Sequence, residues 1–373
     1  MRRKSIAMIL AVLTAIMTFS ACGRKTVKQN YNIIQDNKYD SVFLKVSIDD
    51  FIAAGFHFGD SCDITFSNGL AFEDIPFFSG YYVRTGMPLI VGYPGYEYIA
   101  VTRNNQGLWT DAGLKESDTA VITLHEAGKY LNEQETLSQS YSNDRNTYKD
   151  DIQFSNFRAL SGGKLKDGFL YRGASPVDNQ KNRAASVNSL LEKSGIRFIV
   201  DLADSEEEYL GYRKEADFSS FYAGGLYDEG NTVLLDMSSN YGSDAFKQKL
   251  AAGLRKMLSA EGPIYIHCLE GKDRTGFVCV LLEALAGASY DEMLRDYMKT
   301  YENYYGITKE DSEDKYNAIA SLYFDAFAAY LHGTEDCEVL TSSDYSQDAV
   351  NYLLDAGMTA DEIAALRSMI TEE

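Results

Sequence analysis

The chain has 373 residues, of which 45% are hydrophobic and 24% are charged, and these proportions are typical of a globular protein. A chain of this length is expected to form two domains rather than one core. Its formal net charge of -20 disfavours a general attraction to nucleic acid or to anionic lipid headgroups, and no run of Lys or Arg interrupts the body of the chain. We therefore expect no nucleic-acid partner.

The N-terminal segment has the layout of an export signal. Basic residues 2–4 precede an apolar stretch from Ile6 to Phe19, and residues 1–21 are predicted to be a signal peptide that the mature protein lacks. Two small residues before Cys22 resemble the bacterial lipobox. That resemblance implies cleavage before Cys22, lipid attachment to its sulfur, and a membrane anchor on the outer face of the cytoplasmic membrane. An ordinary cleaved signal with an incidental cysteine is the alternative.

The other cysteines are few and widely spaced. No two of them form a Cys-x-x-Cys pair: they are Cys62, Cys268, Cys279 and Cys337. Such a set is unlike the dense framework that staples small secreted domains, so we expect no disulfide to hold the fold together. A free nucleophilic thiol is therefore compatible with this chain.

The composition changes twice before the middle of the chain. Residues 22–40 are polar without a hydrophobic period and are interpreted as a tether. Residues 41–129 contain short β-branched runs separated by Gly, Asn and Asp, which favours a small β-rich domain. Segments such as 86–89 and 98–101 are similar to the small β-barrel of bacterial S-adenosylmethionine hydroxide adenosyltransferases, which implies a barrel shape and no chemistry. Residues 130–151 are interpreted as a linker or a solvated helix.

Residues 152–373 show strands alternating with helices. Segments 196–202 and 263–267 are compact β-branched runs, whereas 244–260 and 276–286 have helical spacing. Such alternation predicts an α/β fold with a mostly parallel sheet flanked by helices.

A candidate phosphate cradle follows the second of these predicted strands. Cys268 and Arg274 are separated by five residues, and the segment ends in a Thr-Gly pair before an apolar helix. Backbone N–H groups at a helix N-terminus bind a phosphate dianion, and Gly271 and Gly276 let the loop bend tightly. The positive electrostatic potential at the helix N-terminus also stabilises a thiolate, which makes Cys268 the predicted nucleophile. Arg274 offers a fork of donors to two phosphate oxygens, and Lys272 adds a second charge.

The spacing of this loop resembles the Cys-x5-Arg signature of the protein tyrosine phosphatase superfamily. Its Gly-Lys-Asp-Arg-Thr-Gly portion is similar to the atypical bacterial tyrosine and lipid phosphatases. Segment 156–163 resembles the opening motif of that group, with Ala159 and Ser161 as departures, and segment 170–174 resembles its next motif with one residue missing. The likeness extends over residues 152–373 and implies the cysteine-phosphatase fold.

The resemblance also implies a role for each matching residue. Cys268 is expected to be the nucleophile and Arg274 the group that clamps phosphate and stabilises the transition state. His267 is expected to orient the loop, and Arg172 is either a surface cation or a support behind the site. The residues expected to bind the phosphate or the substrate are Leu269, Glu270, Gly271, Lys272, Arg274 and Thr275, with the Thr275 hydroxyl assisting departure of the thiolate.

The identity of the general acid stays open between two carboxylates. Asp273, inside the loop, is favoured by analogy with the bacterial group, and Asp236, after the apolar run 232–235, is the alternative. The expected reaction is attack of the Cys268 thiolate on phosphorus while an Asp protonates the leaving oxygen, followed by hydrolysis of the cysteinyl phosphate. Neither step needs a metal or another cofactor.

Several functions are compatible with this loop. The leading hypothesis is hydrolysis of phosphotyrosine in proteins, of a phosphoinositide or of an inositol phosphate. Arsenate reduction or sulfur transfer is a second hypothesis, since other folds also place a cysteine in an anion-binding loop. A lipid-anchored protein that binds phosphate or another ligand without turnover is a third. The sequence does not predict the oligomeric state.

Overall fold

A computed structural model of the protein describes residues 27–215 and 221–372. The predicted signal peptide, residues 1–21, and the predicted lipidation site, Cys22, lie outside the described residues. No helix within the described ranges combines the length and the apolar character that crossing a membrane requires.

The first part of the described chain is a closed barrel. Its strands are β1 Lys28–Asp36, β2 Ser41–Leu44, β3 Ser61–Phe66, β4 Ala71–Phe78, β5 Pro88–Val91, β6 Ile99–Arg103 and β7 Thr119–Glu126. Around the barrel they follow the order β1, β2, β6, β5, β4, β3, β7, and β7 pairs with β1. The pairs are antiparallel except β4 with β5, which is parallel. Closure leaves no open sheet edge.

Buried apolar side chains from all seven strands fill the interior of the barrel. In β3, Cys62, Ile64 and Phe66 are buried in the interior, because successive side chains of a strand point to opposite faces. One expectation is wrong here, since residues 28–36 of the predicted tether form β1. That strand needs few apolar side chains because its backbone pairs with β2 on one side and with β7 on the other.

The second part of the chain contains a five-stranded sheet in the order β11, β10, β12, β9, β8. The strands are β8 Arg158–Ala159, β9 Leu170–Gly173, β10 Phe198–Asp201, β11 Thr232–Leu234 and β12 Ile264–His267. Pairing is parallel between the first four strands in that order and antiparallel only between β8 and β9. Every residue of β10 and β12 is buried, as expected for parallel strands covered on both faces.

Helices cover both faces of this sheet. Ile264 and Ile266 face a large core that includes the apolar residues of α8, whereas Tyr265 faces a smaller core with α4 and α6. The helix bounds are α1 Ile48–Ala53, α2 Leu131–Leu137, α3 Asp151–Phe154, α4 Ala184–Lys193, α5 Glu206–Glu215, α6 Tyr222–Asp228, α7 Asp244–Met257, α8 Asp273–Leu285, α9 Tyr290–Tyr305, α10 Glu313–Ile319, α11 Asp325–His332, α12 Cys337–Ser342, α13 Ser346–Asp355 and α14 Ala360–Ile370. A π-helical turn, Ala320–Phe324, joins α10 to α11.

The predicted linker packs against both parts of the molecule. It contains α2, whose Gln134 is buried and exchanges hydrogen bonds with Ser79 of the barrel at 2.7 and 3.0 Å. Leu137 belongs to the large core of the second part. Direct contacts also join the two parts, including the Arg84–Glu335 ion pair at 2.9 Å. The solvated helix that composition favoured is therefore partly buried.

Candidate active site

The carboxyl ends of the parallel strands meet at one edge of the sheet, and Cys268 lies there. The register aligns His267, the last residue of β12, with Asp201 on one side and Gly173 on the other. Ligand sites of open α/β sheets lie outside this edge. From Cys268 the chain runs through a short loop into α8, whose residues from Thr275 to Leu285 are all buried. Strand, loop and helix follow one another as the sequence predicts.

The backbone carbonyls of this loop accept hydrogen bonds from residues outside the loop. Three successive carbonyls accept hydrogen bonds from neighbouring elements: Leu269 O from the Ser175 N–H at 3.0 Å, Glu270 O from the Tyr304 hydroxyl at 2.7 Å, and Gly271 O from the Arg172 guanidinium at 2.8 Å. The N–H and C=O of a planar trans peptide point in opposite directions. The N–H groups of these peptides therefore face the inside of the loop, where they form a concave site for an anion.

Gly271 allows the loop to pack against the end of β9. Its φ of +66° lies in the left-handed region, and a Cβ added there would lie 2.2 Å from the backbone oxygen of Gly173. Backbone atoms cannot move aside as the end of a flexible side chain can. The position therefore requires glycine for two independent reasons, backbone conformation and space.

Replacing Gly271 with Ala is expected to lower kcat/KM for p-nitrophenyl phosphate, a substrate for the activity that the family resemblance implies, by about 100-fold. A displacement of roughly 1 Å at a reacting centre has an effect of that size. The matched control is Gly195→Ala, where φ is +63° and a Cβ would meet no atom within 4 Å. The control should lose about 1 kcal/mol of stability and keep its activity. Equal activity losses in the two variants would contradict the role assigned to Gly271.

Arg172 supports the loop from behind. Its side chain is fully buried and forms an ion pair with Asp296 at 2.6 Å, and Arg158 binds the same carboxylate at 2.6 Å. Burial opposes ionisation of Asp296, but the two guanidiniums hold its pKa below the usual value. Burial, reinforced by the Asp296 charge, raises the pKa of Glu283 well above its ordinary range. Arg172 is therefore buried and in contact with the loop rather than exposed at the surface.

The predicted nucleophile and phosphate clamp lie at the two ends of the loop. Cys268 is 4% exposed. Arg274 donates one hydrogen bond to the backbone oxygen of Met237 at 2.9 Å, which uses one of the five donors of its guanidinium. The Thr275 hydroxyl is buried, and it has no hydrogen-bond partner among the described residues.

The two candidate acids differ in where their carboxylates point. Asp273 is the first residue of α8; its side chain is 55% exposed, and one carboxylate oxygen lies 3.8 Å from the Lys272 ammonium. Asp236 pairs with Lys249 at 3.0 Å and is 62% exposed. The backbone at Asp236 adjoins Met237, the partner of Arg274, but the Asp236 carboxylate faces Lys249. Asp273 thus lies where the loop meets α8, and the Asp236 carboxylate points toward Lys249.

His267 is held in its neutral form. Its ring is buried, with Nδ1 3.3 Å from the Cys268 carbonyl and Nε2 3.8 Å from the Asp201 carboxylate. Burial lowers the pKa of His267 to about 4, so the ring carries no charge near neutral pH. That His267 orients the loop remains a prediction.

Two buried carboxyl groups lie behind His267. Asp201 accepts hydrogen bonds from the backbone N–H groups of Ala203 at 2.8 Å and of Asp204 at 3.1 Å. Burial raises the pKa of both Asp201 and Asp204, and the negative charge of Asp201 raises that of Asp204 further. Two interacting carboxyl groups in such a place titrate as one unit and retain a proton well above pH 4.

Replacing Asp204 with Asn is expected to stabilise the protein at pH 8 by about 1–3 kcal/mol and to have little effect at pH 5. An acid whose pKa is raised on folding contributes stability below its unfolded pKa and loses it as the pH rises through the folded pKa. Asparagine is uncharged at both pH values. Urea unfolding at pH 5 and pH 8 measures the difference, with the exposed Asp228→Asn as control, because the Arg213 hydrogen bond lowers the pKa of Asp228. A gain in stability that is the same at both pH values would contradict the assignment.

Lys272 and Glu270 form the rim of the loop. The Lys272 ammonium lies 3.8 Å from the Glu270 carboxylate, and the two side chains are 20% and 17% exposed. Leu269, between Cys268 and this pair, contributes its carbonyl to the Ser175 N–H.

Sequence reasoning missed some groups that shape the loop. Asn156 donates to the carbonyls of Glu270 at 3.4 Å and Gly271 at 3.3 Å, although the sequence assigned no role to it. Tyr304, on α9, was likewise assigned no role in the loop, although its hydroxyl donates to the Glu270 carbonyl. Its hydroxyl bond to the loop depends on a contact between distant elements that spacing does not show.

A metal site of the usual composition is not found in the part of the chain that the structure describes, since no group of three or more His, Cys, Asp or Glu side chains is placed to hold an ion.

Comparison with known proteins places the second part of the chain in a family. The family model described as the tyrosine phosphatase family matches residues 153–372. A protein of Cupriavidus necator that carries a tyrosine-protein phosphatase name is 26% identical over 157 residues, 37% of this chain and 55% of that protein. The triple specificity protein phosphatase PtpB of Mycobacterium tuberculosis is 28% identical over 83 residues, 20% of this chain and 30% of that protein.

The matched region is partial in each curated relative, because the chain spans about half the length of the first and less than a third of the second. The crystal structure of TpbA from P. aeruginosa is similar over 56% of this chain and 94% of its own, with 17% identity and a TM-score of 0.23. The family match itself covers more than half of the chain. This protein belongs to the tyrosine phosphatase family.

Proposed function

We propose that the protein is a cysteine-dependent phosphatase that hydrolyses phosphomonoesters. The observation that carries the proposal is the loop between Cys268 and Arg274, whose carbonyls are bound from outside so that its N–H groups face inward. A phosphate in that concavity would meet the N-terminus of α8 and the Arg274 guanidinium. Membership of the tyrosine phosphatase family supports the same activity.

The proposed reaction has two steps. The Cys268 thiolate attacks phosphorus, the sulfur–phosphorus bond forms, and the ester oxygen leaves with a proton from Asp273. Water then attacks the cysteinyl phosphate, Asp273 takes a proton from that water, and the thiolate departs with inorganic phosphate released. The buried Thr275 hydroxyl would donate a hydrogen bond to the departing sulfur.

The proposed substrates are phosphotyrosine in proteins, phosphoinositides and inositol phosphates. The exposed Asp273 carboxylate and the Lys272 ammonium at the rim are the groups that a substrate would meet on entering. We further propose, on the N-terminal sequence alone, that the protein is exported and attached to the outer face of the cytoplasmic membrane through lipid on Cys22.

The cysteine environment does not favour the redox alternative. A redox relay needs a second thiol that ionises easily near the first, whereas burial raises the pKa of Cys279 on α8 to about 12. Cys62 lies inside the barrel, where burial also raises its pKa. A relay through either thiol is therefore disfavoured.

A panel assay tests the proposal. The purified protein is incubated with p-nitrophenyl phosphate, a phosphotyrosine peptide, a short-chain phosphoinositide and inositol hexakisphosphate, and release of inorganic phosphate is measured. We expect turnover of p-nitrophenyl phosphate and of at least one natural ester. Binding of phosphate without turnover of any substrate would instead support a ligand-binding protein.

A further inference from the structure

Arg183, the residue before α4, is buried without an ion pair in the part of the chain that the structure describes. Its side chain is 1% exposed. The guanidinium donates only to uncharged acceptors, first to the carbonyls of Phe154 and Lys181, both at 2.8 Å. An apolar side chain would fill the same space at a lower cost, which points to a role for the charge itself. The other acceptors are the Asn143 side chain at 3.1 Å and, at 3.4 Å, the Ser142 carbonyl and the Tyr148 hydroxyl.

Four aromatic rings surround this guanidinium. Its central carbon lies 4.7 Å from the centre of the Tyr304 ring. The rings of Phe154, Tyr141 and Tyr148 lie 4.8, 4.9 and 6.0 Å from the same atom. The face of an aromatic ring attracts a cation, and the attraction is strongest away from water. Tyr141 also stacks on Tyr304, with the ring centres 5.1 Å apart. Arg183 and Tyr141 therefore hold the Tyr304 ring between them.

Tyr304 connects this aromatic cluster to the proposed catalytic loop. Its side chain is buried, and its hydroxyl donates to the Glu270 carbonyl at 2.7 Å. Burial raises the pKa of Tyr304, so the hydroxyl keeps the proton that it donates. Asn156 donates to the same carbonyl at 3.4 Å, a distance at which a hydrogen bond is weak. Among the described residues, Tyr304 is therefore the main donor that fixes the direction of this carbonyl.

The Glu270 carbonyl belongs to the same peptide group as the Gly271 N–H, and the two point in opposite directions. We propose that Arg183 is a positioning residue for the proposed catalytic loop, on which it acts through Tyr304. Arg183 holds the ring, the hydroxyl of that ring holds the carbonyl, and the N–H of the same peptide is thereby aimed at the phosphate. This inference rests on the proposed phosphatase function and goes beyond it, because Arg183 itself makes no hydrogen bond to the loop.

The same arrangement ties the connection between the two parts of the molecule to the loop. Within the predicted linker, Tyr141 and Tyr148 contribute rings to the cluster, and Ser142 and Asn143 accept hydrogen bonds from Arg183. The connection thus supports the proposed site as well as joining the barrel to the second part.

A double-mutant cycle tests whether Arg183 acts through the Tyr304 hydroxyl. We measure kcat/KM for p-nitrophenyl phosphate with Arg183→Met, with Tyr304→Phe and with both substitutions. Each single substitution should lower kcat/KM by about tenfold, because one well-aimed hydrogen bond to a charged acceptor is worth roughly that factor. The double variant should lose no more than about twofold beyond the larger single loss, since the second substitution breaks a link that is already broken. Losses that multiply to about 100-fold would overturn the inference.

The matched control is Tyr148→Phe. Tyr148 also faces Arg183, but its hydroxyl donates to the Ser142 carbonyl, which is not part of the loop. Its kcat/KM should equal that of the wild type, and a loss as large as that of Tyr304→Phe would count against the path through Tyr304. Circular dichroism establishes that each variant is folded. If Arg183→Met does not fold, Arg183→Lys replaces it in the cycle, since lysine keeps the charge but lacks the planar fork of donors.

Binding of inorganic phosphate separates this inference from the proposed function. The phosphate Kd is measured by calorimetric titration in the Cys268→Ser background, with and without the substitution at Arg183. The substitution should raise Kd by about tenfold, whereas a purely structural role would leave the Kd of the folded protein unchanged. An unchanged Kd would overturn the inference even in an active enzyme. Failure of the wild type to turn over any phosphomonoester would instead overturn the proposed function, and the phosphate Kd would still test the role of Arg183.

Discussion

Replacing Cys268 with Ser is expected to lower turnover of p-nitrophenyl phosphate by about 10⁴-fold or more, while the loop still binds an oxyanion. Loss of a covalent nucleophile has effects of that order in other enzymes. The hydroxyl of serine is a far weaker nucleophile at neutral pH than a thiolate. The anion, however, is held by backbone N–H groups and Arg274, which the substitution leaves in place. Steady-state kinetics and calorimetric titration with inorganic phosphate measure the two properties separately.

The control for this substitution is Cys337→Ser, since Cys337 is exposed on α12. Its kcat should equal that of the wild type. A Cys268→Ser variant with a rate near that of the wild type would refute the assignment of Cys268 as the nucleophile. A folded Cys268→Ser variant that binds no phosphate would refute the claim that the backbone N–H groups of the loop bind the anion.

Replacing Arg172 with Met is expected to lower the free energy of unfolding by about 3–5 kcal/mol, the range measured when one partner of a buried ion pair is removed. The Arg172 side chain is fully buried, so Asp296 would lose one of its two cations at a place largely shielded from water. The substitution also removes the donor to the Gly271 carbonyl. We therefore expect kcat/KM for p-nitrophenyl phosphate to fall by about 100-fold as well. Urea unfolding and steady-state kinetics provide the two measurements.

The matched control for Arg172 is Arg213→Met. Arg213 makes two hydrogen bonds to Asp228, at 2.6 and 2.7 Å, but this pair lies at the surface. Exposed pairs contribute at most about 1 kcal/mol, so the control should stay near the wild type in stability and activity. Equal losses in the free energy of unfolding would contradict the claim that burial makes the Arg172–Asp296 pair more stabilising than a surface pair.

The proposed catalytic loop is the part that sequence predicts best. A strand, a loop with glycine and a buried helix are adjacent in the chain, so local residue types determine their arrangement. The spacing from Cys268 to Arg274 therefore identified the loop without knowledge of the tertiary structure. The alternation of strands and helices likewise predicted a mostly parallel sheet flanked by helices, and the β-branched runs predicted the β-rich first part.

Features that depend on distant contacts were not predictable in the same way. Lys28–Asp36 has few buried apolar residues, and only closure of the barrel gives it partners on both sides. Arg172 lies in a buried network because Asp296, far along the chain, returns to it. The pairing of Asp236 with Lys249 is a third case, because no local pattern indicates which way that carboxylate points.

The barrel contacts the second part of the chain near the proposed catalytic loop. Its Tyr93 lies in the charge environment of Lys272, Glu270 and Asp273, which belong to the loop. The Thr85–Tyr241 hydrogen bond at 3.2 Å is a further contact between the barrel and the second part.

The most direct test of the proposed mechanism is to find where phosphate is bound covalently during turnover. The protein is mixed with p-nitrophenyl phosphate, quenched in acid within the first turnovers, digested and analysed by mass spectrometry. We predict that the peptide containing Cys268 gains the mass of one phosphoryl group and that the peptides containing Cys62, Cys279 and Cys337 do not. Rapid hydrolysis of substrate with no phosphate on Cys268, or with phosphate on another residue, would contradict the proposed mechanism.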